Sequence, residues 1–230
     1  MSRELTKQEY DLIKEVNKLC QLHKDEEAEK IFGKFIKQNL SNIEMLLRFG
    51  FFEYYRFHDD LQCIHYLKLL LNLDPNNTDA LILLSDSVIA RHDKELKLLN
   101  RLYSVDINDP EHGSMIEYCK SLFYQDENDY KMQENVLKKS IELYPKHVFN
   151  YLRLAAFYKN HNNLIKAVEL MEKALKNITL VYPISGHDID YTDYQEYFNE
   201  LIKRIHVPQV HYESYINELN ELKRLSTQVK

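Results

Sequence analysis

The stretch YLRLAAFYKNHNNLIKAVELMEKA, Tyr151 to Ala174, decides the fold. Tyr151, Leu154 and Tyr158 recur at three- and four-residue steps in its first half, and Ala167, Met171 and Ala174 do so in its second. That is the period of an amphipathic helix. Asn160, His161, Asn162 and Asn163 interrupt the run with turn-forming residues. The pattern therefore predicts two helices joined by a tight turn. Ala155 and Ala167 sit where the two backbones are expected to approach most closely, and a Leu at either place would overpack the contact by about 1–3 kcal/mol.

Working outward, the chain repeats this unit. Pro75, Pro110 and Pro145 are each 35 residues apart, and each closes an apolar helical pattern. Proline ends a helix or opens the next, because it lacks the N–H and clashes with the preceding turn. Two capping boxes, Thr6 with Glu9 and Ser41 with Glu44, share that spacing. Asn76 with Asp79 continues the series in weaker form, and Ser114 with Glu117 resumes it three residues late. Ala28 and Cys63, small residues on second helices, are also 35 apart. The agreement predicts five helix pairs: 7–22 with 25–38, 42–57 with 60–73, 78–91 with 93–105, 115–125 with 129–143, and 148–160 with 164–177.

After residue 178 the pattern changes. Residues 179–191 hold Pro183 and Gly186 and read as a loop. Thr192 with Gln195 forms a further capping box before a helix near 193–205. Val207 and Pro208 break that helix, and a last one runs near 209–225 with the seam Tyr212, Tyr215, Ile216, Leu219, Leu222 and Leu225. One apolar stripe on an end helix suits a cap, since a terminal repeat otherwise leaves its core face exposed. The expected plan is a repeat array over 6–178, a loop over 179–191 and capping helices over 192–226.

Composition agrees with helices. The chain has 230 residues, 44% of them hydrophobic, with only 4 Gly and 5 Pro. Such a chain is neither disordered nor turn-rich. The net charge of -6 argues against broad nucleic-acid binding, which depends on clustered Lys and Arg. Cys20, Cys63 and Cys119 are far apart, odd in number and set in apolar helical patterns, as buried free thiols in a reducing compartment would be. No apolar run of signal-peptide length opens the chain and no 18-residue apolar run follows, so a cytoplasmic protein off the membrane is expected.

Residues Tyr151, Leu154, Ala155, Tyr158, Ala167, Met171 and Ala174 resemble the tetratricopeptide signature W-x2-L-G-x2-Y…A-x3-F-x2-A, with Tyr for Trp, Ala for Gly and Met for Phe. The resemblance implies an all-α, right-handed superhelix of about five helix pairs whose concave groove holds a peptide or partner protein. It also implies that the second, fifth, sixth and ninth positions of each first helix face that groove. Among these positions the candidate groove residues are Arg48, Phe52, Tyr55, Asp86, Tyr118, Leu122, Phe149 and Arg153, with the register of the second unit open by one residue, so that Phe51 is also a candidate. The family's carboxylate clamp for chaperone tails is absent. Arg153 matches its final Arg, but Phe149 stands in place of Lys, Tyr118 and Cys119 in place of Asn, and Ile13 in place of the Lys that should accompany Asn17.

Chemistry has little to stand on. No metal-ligand spacing groups the ten histidines; the densest set, His58, Asp59, Asp60 and His65, lies at a helix junction where Asp caps. No G-x-S-x-G or Gly-rich phosphate loop is present. The expectation is a protein without catalytic residues, metal or cofactor. The segment from Met45 to Phe57 is apolar or aromatic almost all the way round, so it is either buried on every side or offers an apolar face to a partner. The leading reading is a module that binds a peptide or helix of a partner protein in a partly hydrophobic groove. A secretion-chaperone-like protein or an assembly scaffold is the alternative. An RNA-binding helical repeat is disfavoured by the negative charge.

Overall fold

A computed structural model of the chain describes residues 4–90, 96–104, 109–178, 190–194 and 209–228. These form helices and turns, and they group into two units: residues 1–105 with 188–194, and residues 106–187 with 195–230.

Three helix pairs make the first unit: α1 (Lys7–Gln21) with α2 (Asp25–Gln38), α3 (Ile43–Phe52) with α4 (Asp60–Leu73), and α5 (Thr78–Ala90) with α6 (Leu96–Ser104). The Thr6–Glu9 box forms in full: Glu9 N–H donates to Thr6 Oγ1 at 3.3 Å, and Thr6 N–H donates to Glu9 Oε2 at 2.7 Å. The box also ties two repeats together. Asn42 accepts from Met45 N–H to cap α3, and its Nδ2 donates to buried Glu9 at 2.5 Å. The α3 cap is thus Asn42, one residue beyond the expected Ser41; its amide accepts from the helix through Oδ1 and donates to Glu9 through Nδ2 at once. Likewise Asn77, not Asn76, accepts from Ala80 N–H at the start of α5.

The core of this unit is aromatic. Phe32, Phe49 and Phe52 lie with ring centroids 4.9–6.2 Å apart and are almost wholly buried. Gly50 lets α3 approach α4, since a Cβ there would stand 3.2 Å from Leu67 Cδ2. Beyond Phe52 the helix widens into a five-residue π-helical turn, Glu53–Phe57, where the sequence predicts a uniform helix to 57. One added residue per turn changes the direction in which Tyr55 and Arg56 project. Such turns are often found at functional sites.

The second unit holds α7 (Pro110–Asp126) with α8 (Tyr130–Leu143), α9 (Val148–Asn160) with α10 (Leu164–Asn177), and α11 (Gln209–Gln228), which packs on α10. Helix α7 begins at Pro110, five residues before the expected 115, because Asp109 caps it by accepting from Glu111 N–H and Pro110 fills its first turn. Ser114 is therefore no cap. It is wholly buried inside α7, and its hydroxyl lies 3.0 Å from both Ser140 Oγ and His147 Nδ1. Ala155 and Ala167 are 1% and 0% exposed, as their place at the α9–α10 contact requires.

Among the described residues, the turns of four pairs share one device. His23, His58, Asn128 and Asn162 all have φ between 51° and 58°, the left-handed region that Asn and His tolerate better than most residues. This gives His23 and His58 a conformational role. The expected helix near 193–205 lies outside the described residues from 195 onward, as do most of the expected loop and the first residues of the helix expected at 93–105.

Candidate functional site

The eight candidate groove residues fall in both units. In the first, Arg48 stands on α3, where its Nε donates to Glu44 Oε1 at 2.8 Å. Its guanidinium faces Asp190 Oδ2 at 3.6 Å and Asp193 Oδ2 at 3.8 Å, and Nη1 donates to Thr192 Oγ1 at 3.3 Å. Tyr55, on the π-helical turn, stacks on Phe51 at 5.5 Å and on Tyr191 at 6.4 Å. Asp86 of α5 accepts from Tyr54 Oη at 2.6 Å.

Phe52 requires a correction. It is 0% exposed and packs on Phe32 and Phe57, so it belongs to the core and not to a groove. Phe51 is the residue that meets Tyr194, edge to face at 5.9 Å. Phe51 is 1% exposed as well; one residue of helical register turns a side chain by about 100°, which takes it from the Phe32 side of α3 to the side where Tyr55 and Tyr194 cover it.

These contacts describe a short stretch of chain, Asp190–Tyr194, held on the first helices of the first unit. Asn17 of α1 grips it twice: its Nδ2 donates to Asp190 Oδ1 at 3.0 Å, and its Oδ1 accepts the backbone N–H of Tyr191 at 3.0 Å. The Asp190 carboxylate also accepts from Thr192 N–H and Oγ1, which folds the stretch into a tight turn. Arg56, anchored by Asp25 at 2.5 Å, lies over the Tyr191 ring at 4.7 Å from its centroid. Thr192 and Tyr194 are buried, while Asp190, Tyr191 and Asp193 are half-buried. The arrangement combines a cationic centre, a side-chain amide reading the backbone and aromatic faces on both sides.

The sequence pattern puts residues 190–191 in a loop and gives 192–194 no partner. The available cue is composition: Asp190-Tyr191 and Asp193-Tyr194 repeat an acidic–aromatic doublet three residues apart. Asn17 stands out in the sequence only as one element of an incomplete clamp.

In the second unit, Tyr118 of α7, Phe149 of α9 and Arg153 of α9 come together. Tyr118 and Phe149 meet at 5.7 Å, and the Arg153 guanidinium lies 5.9 Å from the Tyr118 ring centroid. Tyr118 and Leu122 are 6% and 4% exposed, so Phe149 and Arg153 provide the accessible part of this cluster. Beneath it, Ser114, Ser140, His147 and Asn150 form a hydrogen-bonded knot. A serine 3.0 Å from a histidine would invite a nucleophilic reading. All four side chains are at most 1% exposed, so no substrate reaches them, and their role is to hold α7, α8 and α9 together. Glu117, which accepts from Lys120 at 3.0 Å and from Lys139 at 2.8 Å, ties α7 to α8 in the same way.

Among the described residues no three His, Cys, Asp or Glu side chains are grouped to hold a metal ion, and no helix is long and apolar enough to cross a membrane. No protein-family model and no curated protein matches the sequence. Solved structures do. MamA from Desulfovibrio magneticus RS-1 is similar over 73% of this chain and 93% of its own, with a TM-score of 0.57 at 17% identity. PilW, described as a widely conserved type IV pilus biogenesis factor, is similar over 77% and 81%, with a TM-score of 0.63 at 12% identity. TTC0263, a thermophilic tetratricopeptide protein in Thermus thermophilus, is similar over 73% and 90%, with a TM-score of 0.57 at 18% identity. The chain has the tetratricopeptide-type fold.

Proposed function

We propose that this tetratricopeptide-fold chain is a non-enzymatic interaction module that holds a segment of a partner protein on the first-helix face of its repeats. One observation carries the reading. Asn17, Arg48, Phe51 and Tyr55, all from first helices or their π-helical extension, already grip a stretch of polypeptide through its backbone, its carboxylates and its rings. Those are the contacts by which peptides are recognised in grooves. The Tyr118–Phe149–Arg153 cluster offers a similar aromatic and cationic chemistry in the second unit. The domain plan belongs to the same proposal: a repeat array over 6–178 with closing helices over 192–226, supported by the packing of α11 on α10.

Affinity capture with chemical cross-linking tests it. The full chain should retrieve a protein partner, and capture should fall at least tenfold with Arg48→Glu or with Tyr118→Ala plus Phe149→Ala. Lys131→Glu, an exposed change on the second helix α8, should leave capture intact. A partner that survives both groove variants, or no partner at all, would sink the proposal.

A further inference from the structure

We infer that Asp190–Tyr194 is a built-in ligand: it occupies the first unit's groove, and an external peptide carrying two acidic–aromatic doublets three residues apart takes the same place when the internal copy is displaced. The inference rests on the interaction reading above and adds to it the chemistry of the ligand and a means of regulation.

The reasons lie in how the stretch is held. It comes from far along the chain, 173 residues after its partner Asn17, so its seat is formed by non-local contacts. Each gripping side chain described above belongs to α1, α3 or the π-helical turn. The grip reads features that any peptide of this composition would carry: a backbone N–H at Tyr191, carboxylates at Asp190 and Asp193, and rings at Tyr191 and Tyr194. The seat is also built for an acidic occupant. Arg48 and Arg56 are both side chains less than a quarter exposed, and both are held in place from behind, by Glu44 and Asp25 respectively. Such anchoring orients the guanidinium groups before a ligand arrives.

The hold is firm in shape and moderate in strength. The Arg48 ion pairs at 3.6 and 3.8 Å are partly exposed on their acidic side, which puts them among contacts that salt weakens. An internal ligand competes through its effective concentration, on the order of 1 mM for a tethered segment. A peptide of about 50 μM intrinsic affinity would then be masked roughly twentyfold in the intact chain. The internal copy thus sets a threshold: only a partner of matching chemistry, at high local concentration or with further contacts, displaces it.

The test is a titration of the full chain with a fluorescent peptide of residues 188–195, DIDYTDYQ. The peptide should bind the unmodified chain weakly. It should bind at least tenfold more tightly to the variant Asp190→Asn, Tyr191→Ala, Asp193→Asn, in which the internal copy is disabled. Adding Arg48→Glu to that variant should abolish binding, as should Asn at both central acidic positions of the peptide. Circular dichroism and thermal melting check that each variant is folded. If the triple variant does not fold, the unmodified chain decides the matter: a peptide with a photo-cross-linking ring in place of Tyr191, at millimolar concentration, should label residues between 17 and 56. Labelling confined elsewhere, equal affinity for the intact and disabled chains, or binding that survives Arg48→Glu would overturn the inference. A captured protein partner with no peptide binding defeats this inference alone; peptide exchange without any partner defeats the interaction reading and leaves the internal ligand standing.

Discussion

At the scale of single residues, Glu53 is the clearest case of a group at odds with its surroundings. It opens the π-helical turn, is 3% exposed, and burial together with nearby Glu29 and Asp59 pushes its carboxyl up to about 7. A carboxyl whose pKa is raised in the folded state stabilises the fold most when protonated. Its contribution is fully present below the ordinary carboxylate value of 4.5 and is lost as pH rises through about 7. Glu53→Gln keeps the shape and removes the charge. It should therefore match the parent in thermal midpoint near pH 4.5 and exceed it at pH 8, by no more than about 3 kcal/mol of stability. Melting curves at the two pH values check this, and an equal shift at both would assign the effect to packing. The cysteines make the opposite kind of residue-level statement. Cys20 and Cys63 are 1% and 0% exposed, and burial pushes both thiols up to about 12. Neither should react with a thiol reagent within minutes in the native protein at pH 8, while both should react at once in denaturant. Mass spectrometry of the labelled chain separates the sites.

At the scale of elements, the left-handed turns and the helix glycines differ in what they ask for. His23 is exposed with φ of 56°, a conformation that costs a residue with a Cβ about 1–2 kcal/mol. Glycine relieves that strain but loses part of the gain to the greater freedom of the unfolded chain, so His23→Gly should stabilise by up to about 1 kcal/mol. Gly33 is the reverse. It sits inside α2 in helical conformation, and a Cβ there would meet Phe49 Cζ at an ordinary 3.4 Å. Gly33→Ala should stabilise by about 0.5–1 kcal/mol. Urea denaturation reads both, and a loss of stability at Gly33 would mean that Phe49 cannot yield. The helices were legible in the sequence because burial of one face imposes a period that can be counted, and Thr6 with Glu9 announced its cap directly. The start of α7 is not legible in the same way, because Ser114 has the letters of a cap and the burial of a core residue, and only the neighbour at Ser140 distinguishes the two. The π-helical turn was hidden for a similar reason: a run that is apolar on nearly every side has no polar face to show where the period changes.

At the scale of the whole molecule, the repeat plan is local and the candidate groove is not. A period of 35 residues is written along the chain, and contacts between neighbouring helices follow from it. The seat of Asp190–Tyr194 joins α1 and α3 to a stretch more than 140 residues beyond them, and no periodicity encodes such a pairing. The family resemblance offers Arg48 and Tyr55 as groove candidates, but it does not say what meets them. The same non-locality makes a measurable claim about stability. The two bonds at Asn17 contribute about 1 kcal/mol each, and the partly exposed Arg48 ion pairs add less. Removing them should lower the free energy for local opening of α1 and α3 by about 2 kcal/mol, which corresponds to roughly thirtyfold faster amide exchange where exchange follows the opening equilibrium. Asp190→Ala removes the carboxylate and Tyr191→Pro the donating N–H. Together they should therefore speed hydrogen exchange around Asn17 and Arg48, and leave α8 and α9 unchanged. Salt at 1 M should reproduce only the smaller, ionic share in the unmodified chain. Equal acceleration in α8 and α9 would show that the stretch supports the fold as a whole, whereas acceleration limited to α1 and α3 is what a segment seated in a groove requires.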